Sequence, residues 1–179
     1  MANALVLSLL FAAGSGNPDV DEPPVHAHDK EVCPLHYHNL FGVRAIGVAA
    51  FEQGERDATP EGGFGLAYER TLIQRWLELE VSTNALFAED GVVLPLDIVF
   101  KKPFHVSHRF DPFLGLGAVV AFGVGEERFV APGAIASGGM YVWASPRWGA
   151  SFELDFAAVR EPHAWLYELE FAMGPVLRF

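Results

Sequence analysis

The chain has 179 residues, of which 51% are hydrophobic, and a formal net charge of −11 at pH 7. This length favours one domain, and the negative charge argues against nucleic acid, whose phosphates require a basic face. Because Cys33 is the only cysteine, an internal disulfide is excluded. No apolar run reaches the ~18 residues that a membrane-spanning helix needs.

The N-terminal segment has two features of an export signal. Residues 4–13 form a mostly apolar core, and the small residues Gly14, Ser15 and Gly16 follow it as in a cleavage zone. The basic stretch that usually precedes such a core is missing, because no Lys or Arg occurs before Lys30. We interpret residues 1–16 as an atypical signal peptide. A buried N-terminal segment of a soluble domain is the alternative.

Residues 17–38 have the composition of a linker, with four prolines, four histidines and no regular hydrophobic pattern. Thiolate and imidazole groups bind zinc or copper, and close spacing lets an irregular segment wrap an ion. The candidate metal ligands are His26, His28, Cys33, His36 and His38. Their spacing matches no standard structural zinc motif. A solvated tail without a metal is therefore the other interpretation, and no cofactor is expected elsewhere.

From Asn39 onward the sequence predicts β-strands of about ten residues, the length that a tilted strand needs to cross a membrane. The eight predicted strands are residues 41–51, 63–71, 75–87, 92–101, 112–122, 135–143, 147–158 and 165–179. The first, fifth and sixth are apolar on both faces, so their facing is not determined by the pattern. The third, fourth, seventh and eighth alternate clearly between apolar and polar residues.

The eighth predicted strand shows the alternation best. Its odd-numbered positions from Trp165 to Phe179 are apolar, whereas Glu168, Glu170 and Arg178 lie on the other face. A soluble barrel would bury the apolar face and expose the charges. A charged interior and an apolar exterior predict instead an all-β, eight-stranded antiparallel up-and-down transmembrane β-barrel over residues 39–179.

Ionisable residues are expected to fill this barrel, because eight strands enclose a space just wide enough for side chains. The residues predicted to form an interior polar network are Glu69, Glu78, Glu80, Asp97, Lys101, Glu153, Asp155, Glu168, Glu170 and Arg178. Arg44 is a further candidate partner for the acids. Buried charges require pairing, and here acids outnumber bases. We therefore predict that some carboxylates are protonated, hydrated or bound to cations, and we prefer a structural core to a catalytic or pore-lining role.

An even strand number brings both barrel ends to one side, which is the periplasmic side in a bacterial outer membrane. Residues 17–38 are then a periplasmic linker. The connections predicted at the outer side are 52–62, 88–91, 123–134 and 159–163, and those at the periplasmic side are 72–74, 102–111 and 144–146. Two aromatic belts are predicted at the membrane interfaces: Phe51, Phe64, Phe87, Phe122 and Trp165 in one, and Phe41, Phe100, Trp143, Trp148 and Phe179 in the other.

Three motifs resemble those of the small eight-stranded outer-membrane β-barrel proteins, the OmpA/OmpX-like superfamily. Residues 111–118 (DPFLGLGA) look like their proline-aromatic-x-Gly-x-Gly strand, and residues 138–148 (GGMYVWASPRW) resemble their glycine-aromatic hairpin with a short proline turn. The terminal Phe179 resembles the signal recognised by the barrel-assembly machinery. The resemblance implies a bacterial outer-membrane location, with membrane lipid and the assembly machinery as partners.

One segment carries a candidate catalytic pair, His105 and Ser107. The spacing is similar to the His-x-Ser pair of lipid A deacylase barrels, in which a His–Ser–acid triad hydrolyses an acyl ester. The predicted topology places residues 102–111 in a periplasmic turn, whereas that substrate lies in the outer leaflet. An exposed polar turn is therefore the preferred interpretation.

The leading functional hypothesis is a small monomeric outer-membrane barrel with a structural or envelope role and no open pore. A lipid-modifying, deacylase-like outer-membrane enzyme is the first alternative. A soluble lipocalin-like carrier of an apolar ligand is the second.

Overall fold

The computed structural model describes residues 38–53, 58–88, 91–125, 128–160 and 164–179. The predicted signal peptide (1–16) and most of the linker lie outside the described residues, as do His26, His28, Cys33 and His36. Of the candidate metal ligands, His38 alone is described. Within the described ranges, no helix is long and apolar enough to cross a bilayer.

Eight strands form the described part of the chain. They are β1 (Asn39–Glu52), β2 (Thr59–Ile73), β3 (Leu77–Ala88), β4 (Gly91–Pro103), β5 (Phe110–Gly125), β6 (Phe129–Trp143), β7 (Trp148–Arg160) and β8 (Trp165–Arg178). Each strand pairs antiparallel with the next, and β8 pairs with β1, so the sheet closes into an up-and-down barrel. The predicted fold is confirmed.

Two predicted connections are shorter than expected. β6 begins at Phe129 rather than at residue 135, and β2 begins at Thr59 rather than at residue 63. Pro132 and Gly133 are typical turn residues, yet they pair with Val120 and Val119 of β5. Most of the predicted connection 123–134, and residues 52 and 59–62 of the predicted connection 52–62, therefore belong to the sheet.

Side chains alternate along the strands with the apolar face outward. In β7, Glu153 is 2% exposed whereas its neighbour Leu154 is 52% exposed. In β8, Leu169 and Phe171 are likewise exposed, and Glu170 between them is partly buried. This arrangement is the inverse of a soluble barrel and is that of a transmembrane β-barrel with a polar interior.

The interior is layered along the barrel axis. We call the end that carries Asn39, Arg178 and the connections 74–76, 104–109 and 144–147 the terminal rim, and the other end the opposite rim. Near the terminal rim lies an apolar cluster of Leu40, Phe113, Tyr141, Trp143 and Val176. Towards the opposite rim lie two more, formed chiefly by Val119, Ala121, Ala131, Ile135, Ala157 and Val159 and by Ile46, Val48, Leu86 and Ala172. Charged residues lie between the first cluster and the other two, and also beside the latter, since Asp97 and Glu170 are the cross-strand partners of Val119 and Val48.

Trp143 corrects one sequence prediction. The sequence predicts this residue in an aromatic belt, but it is 4% exposed and belongs to the apolar cluster inside the terminal rim. Both faces of β6 are apolar, so the alternation could not reveal that Tyr141 and Trp143 share the inward face.

Candidate functional site

An ion cluster occupies the middle of the barrel. Arg44 of β1 reaches across to Glu80 of β3, and its two terminal nitrogens donate to the two carboxylate oxygens at 3.0 and 2.5 Å. The same guanidinium lies 3.0 Å from a carboxylate oxygen of Glu153. Such a two-pronged contact fixes both side chains, because the planar donors of Arg match the planar carboxylate.

Lys101 of β4 is the second cation of this cluster and has no exposed surface. Its ammonium lies 2.6 Å from Glu80 and 2.8 Å from Glu153. The ring of Phe113 lies 4.1 Å from the nitrogen and covers it on another side. A buried ammonium is stable only with such partners.

Tyr141 links the ion cluster to the terminal rim. Its hydroxyl donates to Glu69 at 2.6 Å, and its ring stacks on Phe113 with 5.0 Å between the centroids. We define the central cluster as Arg44, Glu69, Glu80, Lys101, Tyr141 and Glu153. It combines two cations with three carboxyl groups, so nearly every charge in it has a partner.

A second acidic group lies further towards the opposite rim and consists of Asp97, Asp155 and Glu170. Asp97 accepts a hydrogen bond from Ser82 at 3.3 Å, and Glu170 accepts one from Asn84 at 3.4 Å. Asp155 is the cross-strand partner of Glu170. We call these three residues the acidic group. Neutral side chains, not cations, supply their described hydrogen bonds.

No metal centre is formed by the described residues: they contain no group of three or more His, Cys, Asp or Glu side chains arranged to hold an ion. Glu69, Glu80 and Glu153 do converge, but on the ammonium nitrogen of Lys101, which lies 3.8, 2.6 and 2.8 Å from them. Their chemistry in this structure is hydrogen bonding and ion pairing.

Asp111 organises the terminal rim. One carboxylate oxygen accepts from Arg178 at 2.5 Å and from the indole nitrogen of Trp143 at 2.8 Å. The other oxygen lies 3.0 Å from Nδ1 of His105. The guanidinium of Arg178 also stacks on the Trp143 ring at 3.3 Å. The Asp111 contacts join the connection 104–109 to β6 and β8.

The candidate catalytic pair lies in this connection, where its two members have separate partners. His105 contacts Asp111, whereas the hydroxyl of Ser107 accepts from the backbone nitrogens of Arg109 at 3.3 Å and Phe110 at 3.2 Å. This is the local turn geometry in which serine commonly caps backbone donors. The His105 and Ser107 spacing that suggested a catalytic pair therefore lies in a turn in which the Ser107 hydroxyl binds backbone nitrogens.

The structure places the residues of the predicted interior network as follows. Buried are Glu69, Glu80, Asp97, Lys101, Glu153 and Asp155, and partly buried are Glu78, Glu168, Glu170 and Arg178. Sequence reasoning missed Asp111 and Tyr141 and gave Arg44 only a secondary place. Arg44 lies on the same face of β1 as Leu40 and Gly42. Because both faces of this strand are apolar, the sequence pattern did not show which of them faces the interior.

The fold and its charged interior define a barrel of the small outer-membrane type, as the sequence motifs implied. Neisserial surface protein A superposes with a TM-score of 0.68 at 10% identity, over 79% of this chain and 97% of that one. OprG, an outer membrane protein from Pseudomonas aeruginosa, gives 0.55 at 10% identity over 80% and 96%. Ail, the attachment invasion locus protein of Yersinia pestis, gives 0.54 at 14% over 81% and 100%.

At these identities the likeness establishes the fold alone. No protein-family model matches the chain. No curated protein sequence matches it either.

Proposed function

We propose that this chain is a small monomeric protein of the bacterial outer membrane with a structural role in the envelope and no open pore. The observation that carries the proposal is the inverted barrel. Leu154, Phe156 and Leu169 are exposed on its wall while Lys101 and Glu80 are buried within it. A lipid surround stabilises such a wall, because it removes the apolar side chains from water.

The layered interior supports a closed barrel rather than a channel. Apolar clusters lie on both sides of the charged middle, and the charges there contact each other directly. A barrel of eight strands has little space beyond that filled by its own side chains. Ion conductance at the level of single channels is accordingly expected to be absent.

Assembly in the outer membrane is the next part of the proposal. Phe179 and Asn39 exchange backbone hydrogen bonds of 3.0 and 3.2 Å at the seam between β8 and β1, and the Phe179 ring is exposed outward. This position suits recognition of the ring by the barrel-assembly machinery, and residues 1–16 suit export. Membrane lipid and that machinery are the partners that we propose.

The direct test is gel migration of the full chain in detergent with and without boiling. A closed barrel migrates differently before boiling, and the protein should require detergent or lipid to remain dispersed. Dispersion as a monomer in plain buffer would contradict the proposal and favour the soluble carrier. Density fractionation of expressing cells should then recover the protein with outer membranes.

A lipid-modifying enzyme is the second candidate, because His105 lies 3.0 Å from an acid as a catalytic histidine would. Lipid A mass spectra from cells with and without the protein test this function. Loss of acyl chains that disappears in the Ser107→Ala variant would establish it, and unchanged spectra would dismiss it.

Metal binding by the linker is a separate proposal that concerns mostly residues outside the described ranges. Zinc or copper would bind through His26, His28, Cys33, His36 and His38. Calorimetry with each ion on the full chain, compared with a variant in which the five ligands are Ala, tests it. Absence of micromolar binding would end the idea.

A further inference from the structure

The seam between β1 and β8 contains a gap in its backbone pairing. Within these two described strands, residues 43–44 of β1 and 174–175 of β8 are left out, and the pairing continues in the same register on either side. On their other edges, the same residues pair with β2 and β7 without interruption. The interruption is therefore confined to the seam, and we call it the seam gap.

Pro175 explains the seam gap. Proline has no backbone N–H, and because Pro175 still pairs with Ala150 of β7, the missing donor faces β1. The backbone oxygen of Val43, which lies opposite in the register, thus loses the donor that a regular antiparallel ladder would supply. A Cβ atom at Gly174 would collide with the same oxygen, so glycine is needed for the close approach of the strands. In lipid no water replaces a lost backbone hydrogen bond, and the gap is a weak point of the seam.

The side chain of Arg44 spans the seam gap from inside the barrel. Its guanidinium lies 3.0 Å from Glu153 of β7, on the far side of the seam, and donates to both carboxylate oxygens of Glu80 of β3. These contacts connect β3, β1 and β7, which follow one another around the closed sheet with β2 and β8 between them. All three side chains are buried. The residue whose backbone is unpaired at the seam thus supplies an ionic contact across it.

A second gap of the same origin lies between β3 and β4. Pro95 pairs normally with β5, but within the described strands β3 and β4 the pairing omits residues 84–85 and 94–95. Lys101 of β4 crosses this interface and contacts Glu80 of β3 at 2.6 Å. Each of these two proline gaps is therefore accompanied by one cation of the central cluster.

We propose that the seam opens locally at the seam gap and that Arg44, held by Glu80 and Glu153, is the latch that keeps it closed. The device goes beyond the structural role proposed for the barrel, because it assigns one movable interface to the wall. With the latch formed, the two carboxylates hold β1 towards β3 and β7. With the latch broken, β1 and β8 separate before other strand pairs, because their ladder lacks hydrogen bonds at the gap.

The test uses the full chain folded in a neutral detergent, with boiling-dependent gel migration as the check of closure. Hydrogen exchange followed by proteolysis and mass spectrometry reports β1 and β8 separately from β5 and β6. The quantity compared is the ratio of the exchange rate in β1 and β8 to that in β5 and β6. Arg44→Met should raise this ratio at least about tenfold, since local opening exposes only the amides of the strands that separate. An unchanged ratio would overturn the latch.

Lys101→Met is the matched control, because it removes one cation from the same cluster. Lys101 also contacts Glu153, but it is anchored on β4, three strands from the seam. The control should leave the ratio at its wild-type value and should accelerate exchange most in β3 and β4. An equal rise of the ratio in both variants would overturn the assignment of the latch to Arg44, because any loss of charge in the cluster would then open the seam.

A covalent bond across the seam provides a second test. Ala45 and Met173 are cross-strand partners just beyond the seam gap, at a spacing that suits a disulfide. In a Cys33→Ser background, Ala45→Cys with Met173→Cys should return the ratio of Arg44→Met to the wild-type value when oxidised and not when reduced. Fast exchange that persists with the disulfide formed would overturn the seam as the place of opening.

Glu153→Gln repeats the measurement from β7 if Arg44→Met does not fold. The amide keeps the shape of the side chain and withdraws the charge that Arg44 contacts across the seam. The exchange ratio should again rise, by less than in Arg44→Met, because the pair of Arg44 with Glu80 remains. A folded Glu153→Gln variant with the wild-type ratio would overturn the proposal.

Discussion

The central cluster and the acidic group occupy the same barrel but satisfy their charges differently. In the central cluster, Lys101 contacts Glu80 at 2.6 Å and Glu153 at 2.8 Å. In the acidic group, the hydrogen-bond partners of Asp97 and Glu170 are the neutral Ser82 and Asn84. Neutralising one charged side chain should therefore change the free energy of unfolding in opposite directions in the two regions. In the central cluster the substitution leaves a buried ion without its partner and lowers stability, whereas in the acidic group it removes a buried charge that lacks a cation and raises stability.

The largest effect is expected for Lys101→Met. This change removes one of the two cations that Glu80 and Glu153 share in a buried site, and it should lower the free energy of unfolding by about 3–5 kcal/mol. Urea unfolding of the barrel in neutral lipid vesicles measures the loss. Lys102→Met, one residue along on the outward face, should cost less than about 1 kcal/mol. Equal effects at both positions would refute the special role of the central cluster.

Glu80→Gln breaks the same cluster from the acidic side. The amide retains one acceptor for Arg44 but withdraws the negative charge that Arg44 and Lys101 share, so we expect a loss of about 2–3 kcal/mol. Urea titrations under the same conditions report it. A neutral result would mean that Glu153 and Glu69 compensate fully.

Trp143→Phe examines whether the terminal rim behaves as the central cluster does. The variant keeps the ring stacked near Arg178 and removes the donor to Asp111, at a cost of about 1 kcal/mol. Trp148→Phe, on the outward face, is the control and should leave the unfolding midpoint unchanged. A larger loss of stability for Trp148→Phe than for Trp143→Phe would indicate that contacts of the outer surface contribute more than the hydrogen bond to Asp111.

The smallest effect, and the one of opposite sign, is expected for Asp97→Asn. Asparagine still accepts the hydrogen bond of Ser82 while the buried charge disappears, so stability should rise by up to about 1 kcal/mol. The measurement is again the urea midpoint, compared with that of Glu80→Gln. A loss as large as that of Glu80→Gln would erase the distinction between the two regions.

The sequence predicted the strands whose faces differ in polarity. Glu153 and Leu154 are neighbours of opposite character, so the parity of β7 follows directly from the pattern, and β3, β4 and β8 follow in the same way. The parity of β6 did not, because Tyr141 and Trp143 share the inward face with Ala131 and Ile135 while the outward face is also apolar. The turn residues Pro132 and Gly133 further concealed the start of this strand.

The pairing of interior side chains was beyond the reach of sequence patterns. Alternation divides a strand into two faces. It assigns Glu69 and Tyr141 to the interior only when the inward face of their strands is already known. It does not show that residues 72 positions apart form a hydrogen bond. That contact depends on the stagger of the strands around the closed barrel, which shear and tilt determine together. The Asp111 contacts, which span as many as 67 positions, were missed for the same reason.

The seam between β1 and β8 constrains the order of biogenesis. Asn39 and Phe179, which close it, are 140 positions apart. The edge of β1 therefore stays unpaired until the ribosome has delivered β8, and an open edge readily recruits strands from other chains. We therefore expect that the nascent edge of β1 needs shielding from other chains until β8 is available.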